Sequence, residues 1–317
     1  MKITLDISRL VEEGSLTPDE AQRLIGFAAH DTGSLGINIL IGFGVIAIAA
    51  GTVALVPTPL TAVVLGLAMT AAGFGILARQ LKQWAVLGQI CLVIGALTFC
   101  GGVLAFGRGS LSAMLIVTAM LALVAIAARS SLLIALSVLA AAACLGATPG
   151  YAHAMYSLAI FEPMLTVVLF SGLAYGAYRV SVQVPADYER LALNAARTSI
   201  LLVNFGFWIG SLWGDTLFLL RWMAGLSPRS PRLEDVVIPP AVFGIGWALV
   251  LIGAALWGMR VNRRWLVNVA AVFGAIHFYT QWFEKLGATP LSVLLGGLMM
   301  LAIALALWTF NRRPAAE

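Results

Sequence analysis

Long uncharged stretches constrain this chain more than any other feature of its sequence. Leu35 to Ala78 contains no Asp, Glu, Lys or Arg in 44 residues, and further uncharged runs recur along the chain. A helix that crosses the hydrocarbon layer needs about 20 mostly apolar residues, whereas a barrel strand needs about ten residues of alternating polarity. The runs are continuous and too long for barrel strands, so they predict transmembrane α-helices.

The composition supports the same class. Hydrophobic residues make up 61% of the chain and charged residues only 10%, against about 45–50% and 25% in soluble domains. This balance excludes an ordinary soluble globule, a disordered chain and a disulfide-rich secreted scaffold. The sequence therefore predicts an all-α polytopic transmembrane helix bundle in a lipid bilayer.

Breaks in the apolar runs divide them into about ten spans. Val56-Pro57-Thr58-Pro59 splits the longest run into two helices with a tight turn, because proline ends helices. The break at Arg129 is the weakest, and nine or eleven spans also fit. The predicted spans are residues 35–56, 60–78, 84–106, 111–128, 131–147, 157–177, 196–217, 237–258, 266–286 and 290–310.

Ten spans can divide into halves of five, residues 35–147 and 157–310. An odd number of spans per half inverts the second half, and transporter sites often lie between inverted repeats. The layout is similar to that of small ten-helix drug and metabolite carriers. No sequence repeat relates the halves, so this likeness is one of layout alone.

The basic residues predict an orientation. With ten spans and a cytoplasmic amino terminus, 14 of the 19 Lys and Arg residues lie inside and 5 outside. This bias satisfies the positive-inside rule and predicts that both termini are cytoplasmic. It also explains the net charge of +5 without a nucleic acid partner. Most tryptophans fall at predicted span ends, as in an aromatic belt, and only Trp208 and Trp247 lie deeper.

Residues 1–34 are predicted to form a separate cytosolic amphipathic hairpin of two short helices. Asp6–Glu13 can form the first helix, and Gly14 can end it in the left-handed conformation. Thr17-Pro18-Asp19-Glu20 is typical of a helix start with a capping box, and we expect this second helix to end near His30. The hairpin could dock a cytosolic or membrane protein partner.

This amino-terminal pattern resembles a known signature. Leu10-Val-Glu-Glu-Gly14-Ser-Leu16-Thr-Pro-Asp-Glu20-Ala21 is similar to the start of a family of bacterial predicted integral membrane proteins, a domain of unknown function. The closing stretch from Arg264 to Arg313 is similar too, with an aromatic helix followed by a glycine-rich one. The resemblance implies eight to ten helices and a bacterial inner (plasma) membrane. It implies no activity and no catalytic residue.

Polar residues at helical spacing mark the seventh and ninth spans. Because polar groups are costly in hydrocarbon, they indicate either function or contacts between helices. One hypothesis is an outward-facing polar vestibule between these two helices, with His277 as a titrating or ligand-binding group; the other is interhelical hydrogen bonding. The candidate residues are Asn204, Trp208, Ser211 and Asp215 on the seventh span, His277, Gln281 and Glu284 on the ninth, and Glu162 beside them.

No pattern of catalytic, cofactor-binding or metal-binding residues stands out, so the sequence predicts no catalytic site, cofactor or metal. Cys91, Cys100 and Cys144 fit small packing residues. Gly172 and Gly176 form a GxxxG face, which fits packing within the bundle or a contact in a dimer.

Three functions remain open from the sequence. A non-catalytic membrane partner, scaffold or sensor is favoured, because no reactive constellation stands out. A small-solute or ion transporter that uses the vestibule is the alternative. An intramembrane enzyme acting through dispersed carboxylates is the third. The substrate, the partner and the oligomeric state are not encoded in any motif.

Overall fold

The computed structural model describes residues 16–79, 84–152, 155–217 and 237–312. Within these ranges the chain is almost entirely helical, which confirms the predicted all-α class, and one short β hairpin is the exception. The helices are α1 (Pro18–Leu55), α2 (Pro59–Ala78), α3 (Ala85–Phe106), α4 (Leu111–Ala128), α5 (Ser131–Cys144), α6 (Pro163–Ser181), α7 (Ala186–Trp213), α8 (Pro240–Arg260), α9 (Arg264–Leu286) and α10 (Pro290–Arg312). The strands are β1 (Thr148–Ala152) and β2 (Met155–Ala159).

Six described helices are long and apolar enough to cross a bilayer: α2, α3, α4, α6, α7 and α8. Shorter apolar segments lie in α1, α5 and α10. Large apolar side chains project outward along the helices, among them Leu40, Phe43 and Ile245. A protein in water rarely exposes so much contiguous apolar surface, so the helices suit a bilayer. The count of ten spans and the side on which the termini lie stay predictions.

Helix α1, the first described helix, begins with the predicted N-terminal cap. The Thr17 backbone N–H donates to Glu20 Oε2 at 2.9 Å, and the Glu20 N–H donates to Thr17 Oγ1 at 3.3 Å. The predicted capping box is confirmed. However, α1 continues to Leu55 and does not end near His30, because Gly33 lowers helix propensity by only about 1 kcal/mol and no proline intervenes. The predicted helix over Asp6–Glu13 lies outside the described residues.

The predicted start of the sixth span is wrong. Residues 157–159 belong to β2, which pairs antiparallel with β1 from Thr148↔Ala159 to Ala152↔Met155. The following helix begins only at Pro163, whose fixed φ suits the first helical turn. Pro149 and Gly150 disfavour a helix before Pro163. Residues 157–159 are uncharged and were therefore counted in a span, but they form part of the β hairpin.

The chain divides into two compact units, Met1–Leu133 and Ile134–Glu317. In the first unit, α2 and α3 pack closely through glycines. A Cβ on Gly95 would lie 2.6 Å from the Thr70 backbone nitrogen, and one on Gly102 would lie 2.7 Å from that of Val63. These distances leave no room for a side chain, so glycine sets the spacing of the two helices.

The second unit has two clusters of buried apolar residues. One joins α5, α6 and α7 and includes Val138, Phe170 and Leu202. The other is built around Trp247 on α8 and Phe273 on α9. Both clusters pack against Phe205 and Phe207 of α7, so α7 is the central helix of this unit.

Candidate functional site

The two predicted polar stripes meet at a tryptophan of the helix that follows α7. Trp247, on α8, has 0% of its surface exposed. Its Nε1–H donates a 2.9 Å hydrogen bond to Asn204 Oδ1 on α7, and Asn204 Nδ2 donates to the Ile200 carbonyl at 2.8 Å. The Asn204 amide is therefore bonded at both its acceptor and its donor end, inside the helix packing.

The same indole contacts the ninth helix. The His277 ring lies edge-on to Trp247, with 4.9 Å between ring centroids and an interplanar angle of 74°. Phe273, one turn earlier on α9, also contacts Trp247, at 6.4 Å between centroids. Trp247 of α8 thus contacts both Asn204 on α7 and His277 on α9, and it lies between the two polar stripes.

A second polar contact joins α7 directly to α9. Trp208 Nε1–H donates to Thr280 Oγ1 at 3.1 Å, and Thr280 in turn donates to the Ile276 carbonyl at 2.8 Å. Ser211 is buried and donates to the Trp208 carbonyl at 2.8 Å. Trp208 therefore forms a hydrogen bond between α7 and α9, whereas the Ser211 hydroxyl forms its hydrogen bond within α7.

Gln281 and Glu284 lie beyond these contacts along α9. The Gln281 amide lies over Gly244 of α8, since a Cβ there would be 3.6 Å from Gln281 Oε1. Gln281 Nε2 is buried and has no hydrogen-bond partner among the described residues. Glu284 is exposed and lines an open cleft of about 620 Å³ with Tyr279 and Met300. This end of the stripe is where a polar solute could approach.

Asp215 does not belong to the helical stripe. The seventh span was predicted to reach residue 217, but α7 ends at Trp213, and Gly214 with φ 73° turns the chain. Asp215 then forms a backbone bridge with Ile238. Its carboxylate accepts hydrogen bonds from the Met164 N–H and the Leu217 N–H, each at 2.7 Å. Asp215, only 1% exposed, thus caps α6 and fastens three chain segments together.

Glu162 lies next to this junction. It precedes α6 at the N-cap position and is buried, without a side-chain bond that caps the helix. Thr166, one turn later, is also buried, and its Oγ1 has no hydrogen-bond partner among the described residues. Asp215, from another segment, therefore supplies the capping group that Glu162 does not.

The GxxxG face of α6 makes no close contact with the described residues. A Cβ on Gly172 or Gly176 would meet no atom within 4 Å in the described part of the chain. Closely packed glycines instead recur every seven residues in α2 and α3. They are Gly66 and Gly73 in α2, and Gly88, Gly95 and Gly102 in α3.

Two participants were not identified from the sequence as site residues. Trp247 carried no signal beyond its depth in a predicted span, and Thr280 falls between His277 and Gln281 without standing out. The seven-residue glycine spacing was a readable signal of close packing between α2 and α3. No group of His, Cys, Asp and Glu able to hold a metal ion occurs among the residues that the structure describes.

No family model, curated protein or solved structure matches the chain.

Proposed function

We propose that the chain is a non-catalytic integral membrane protein that acts as a partner, scaffold or sensor, with α7, α8 and α9 as its rigid membrane-embedded part. The observation that carries this proposal is the buried contact of Trp247 with both Asn204 and His277. Of the groups predicted to line water, Asn204, Trp208 and Ser211 form hydrogen bonds within or between helices. Such contacts are the usual role of amides and histidines between packed membrane helices.

The packing of α7, α8 and α9 around Trp247 supports a rigid arrangement of these three helices. A hydrated vestibule between α7 and α9 requires space between Asn204 and His277, and the Trp247 indole occupies that space. Phe205 closes the same region by an edge-on contact with Phe273 at 5.8 Å between centroids. Aromatic pairs of this kind contribute about 0.5–1.5 kcal/mol beyond their burial, which favours a rigid core.

A small-solute or ion transporter is the second candidate. The open cleft beside Glu284 supports it, because the cleft borders Thr280 and lies one turn from Gln281. The Gln281 amide nitrogen, which has no hydrogen-bond partner among the described residues, is a group that a solute could bind. A substrate path would then have to pass beside Trp247, and not between the two stripes.

The remaining assignments belong to the same proposal. Membership of the bacterial membrane-protein family, an inner-membrane location and cytoplasmic termini rest on the amino-terminal pattern and the basic residues. The partner surface is the segment 1–34, in which the sequence pattern predicts an apolar side with Leu24 and Ile25 near the start of α1.

Site-specific photo-cross-linking in cells tests the partner function against transport. A photoreactive residue at Leu24 should give one discrete cross-linked product, and the same residue at Asp19, on the charged side, should not. The absence of a product at Leu24, together with solute flux in vesicles that Glu284→Gln abolishes, would overturn the partner function in favour of the transporter.

A further inference from the structure

Arginines gather where three helices of the second unit leave their apolar segments. The uncharged stretch of α7 begins just after Arg197, that of α8 ends just before Arg260, and that of α9 begins just after Arg264. The Arg197 guanidinium carbon lies 5.4 Å from the centroid of the Trp265 ring. This contact places the level of Arg197 at the start of α9, so the arginines share one end of the unit.

Two of these arginines, Arg260 and Arg263, lie on a tight backbone turn. The turn between α8 and α9 is closed by the Arg263 N–H, which donates to the Gly258 carbonyl at 2.8 Å. A Cβ on Gly258 would lie 3.0 Å from Val267 Cγ2, so the two helices meet closely at this turn. Arg260 and Arg263 therefore project from a short ordered turn, so no backbone segment has to become ordered when they bind a ligand.

Three of these arginines lack a carboxylate partner among the described residues. Arg197, Arg260 and Arg263 are exposed, and none of them pairs with a carboxylate in the part of the chain that the structure describes. Glu189 lies eight residues before Arg197 on the same helix, which is about 12 Å along the axis. This separation exceeds the screening length of about 8 Å at physiological ionic strength.

The surroundings are those of the boundary between headgroups and hydrocarbon. Trp257 and Trp265 are partly exposed beside the arginines, as expected for rings at the membrane interface. Ile252 and Leu256 continue along α8 as exposed apolar side chains. Basic groups at the headgroup level and an apolar helix face below them match the two parts of a phospholipid.

We propose that Arg197, Arg260 and Arg263, together with Trp265, form a binding site for the headgroup of an anionic phospholipid whose acyl chain lies along α8. Guanidinium groups bind phosphate oxygens through paired, charge-assisted hydrogen bonds. Stacking on Trp265 orients Arg197 before the lipid arrives. This site does not depend on the proposed scaffold function.

Native mass spectrometry of the full chain in neutral detergent tests the site. Phosphatidylglycerol and phosphatidylcholine of equal chain length are titrated separately, and the bound fraction gives an apparent Kd for each. We expect phosphatidylglycerol to bind more tightly, and Arg197→Gln with Arg263→Gln to weaken it about 25-fold, because each basic residue at an anionic surface contributes about fivefold. Trp265→Leu should weaken it about two- to fivefold.

Arg79→Gln with Arg108→Gln is the matched control, since both arginines are exposed at helix ends of the first unit. This pair should change the apparent Kd less than twofold, and inorganic phosphate should not displace the lipid. Equal binding of the two lipids by the unaltered protein would overturn the proposal. An equal loss in the control pair would overturn it as well, because the attraction would then come from net charge alone.

Discussion

Trp247 and Asn204 form a hydrogen bond of 2.9 Å between the indole nitrogen and the amide oxygen, with both side chains buried between α7 and α8. This bond connects a residue of the predicted polar stripe to one that the stripe did not include. Beyond it, the same indole contacts His277 on α9. The bond is therefore the centre of the contacts that hold the three helices together.

The first prediction concerns the energy of this bond. Trp247→Phe and Asn204→Leu should each lower the free energy of unfolding, and the double variant should lose less than the sum. The expected coupling is about 0.6–1.7 kcal/mol, the range for hydrogen bonds between membrane helices. Thermal unfolding of the four proteins in one detergent measures it, with Gln89→Ala on an exposed position of α3 as the control. Strictly additive losses would show that the bond is not formed.

The second prediction compares two adjacent glycines of α3. Gly102→Ala should destabilise the first unit by about 1–3 kcal/mol, because its Cβ would lie 2.7 Å from the Val63 nitrogen on α2. Gly101→Ala meets no atom within 4 Å and should be neutral or stabilising by up to about 1 kcal/mol. Thermal unfolding compares the two variants. Equal effects would contradict the close packing of α2 against α3.

The third prediction concerns Asp215. Asp215→Asn replaces one of two acceptor oxygens with a donor, so either the Met164 N–H or the Leu217 N–H loses its partner. We expect a loss of about 1.5–3 kcal/mol, the range for hydrogen bonds to charged groups. Glu189→Gln, at an exposed position on α7, should change stability by less than about 0.5 kcal/mol. A neutral Asp215→Asn in thermal unfolding would remove its role as the cap of α6.

The fourth prediction is a pH dependence at the start of α1. Hydrogen bonds from the Thr17 backbone and the Thr17 hydroxyl lower the pKa of Glu20 below its ordinary value. The cap is therefore fully present above the ordinary glutamate pKa and is lost as the pH falls through the lowered one. The protection of the Thr17 amide against hydrogen exchange, relative to its intrinsic rate at each pH, should fall over that interval. In Glu20→Gln this fall should be absent, and an unchanged pH profile of protection in that variant would contradict the assignment.

Much of the fold follows from local signals in the sequence. Thr17, Thr58 and Ser110 precede described helices and cap them with their side chains. Pro163 and Pro290 stand at helix starts, where proline fits. Because helix starts and apolar runs are encoded locally, the positions of most helices could be predicted to within a few residues.

The errors came from longer-range effects. Residues 157–159 were predicted to begin the sixth span, but they belong to the strand that pairs with residues 148–152. Asp215 has the right spacing for the stripe of α7, yet Gly214 ends the helix one residue earlier. Spacing arguments assume an unbroken helix, and a single glycine in the left-handed region removes that assumption.

The sequence grouped the candidate residues on two helices but did not give the contacts between them. Helical spacing placed Asn204 and Trp208 on one helix and His277 on another, and the structure brings these helices together. Helical spacing could not identify Trp247 or Thr280 as the residues that connect these helices, because contacts across helices depend on how the helices pack. The distinction between a hydrated and a packed stripe depends on those two side chains.

The central claim is that the Asn204–Trp247–His277 contacts form a dry core. Its most direct test is thiol labelling in membrane vesicles of a protein in which Cys91, Cys100 and Cys144 are replaced by alanine. His277→Cys and Glu284→Cys are compared, each treated with a membrane-impermeant reagent from either face. We expect Glu284→Cys, at the open cleft, to react from one face and His277→Cys to react from neither. Reaction of His277→Cys at a rate comparable to that of Glu284→Cys would contradict the dry core and establish a water-filled path.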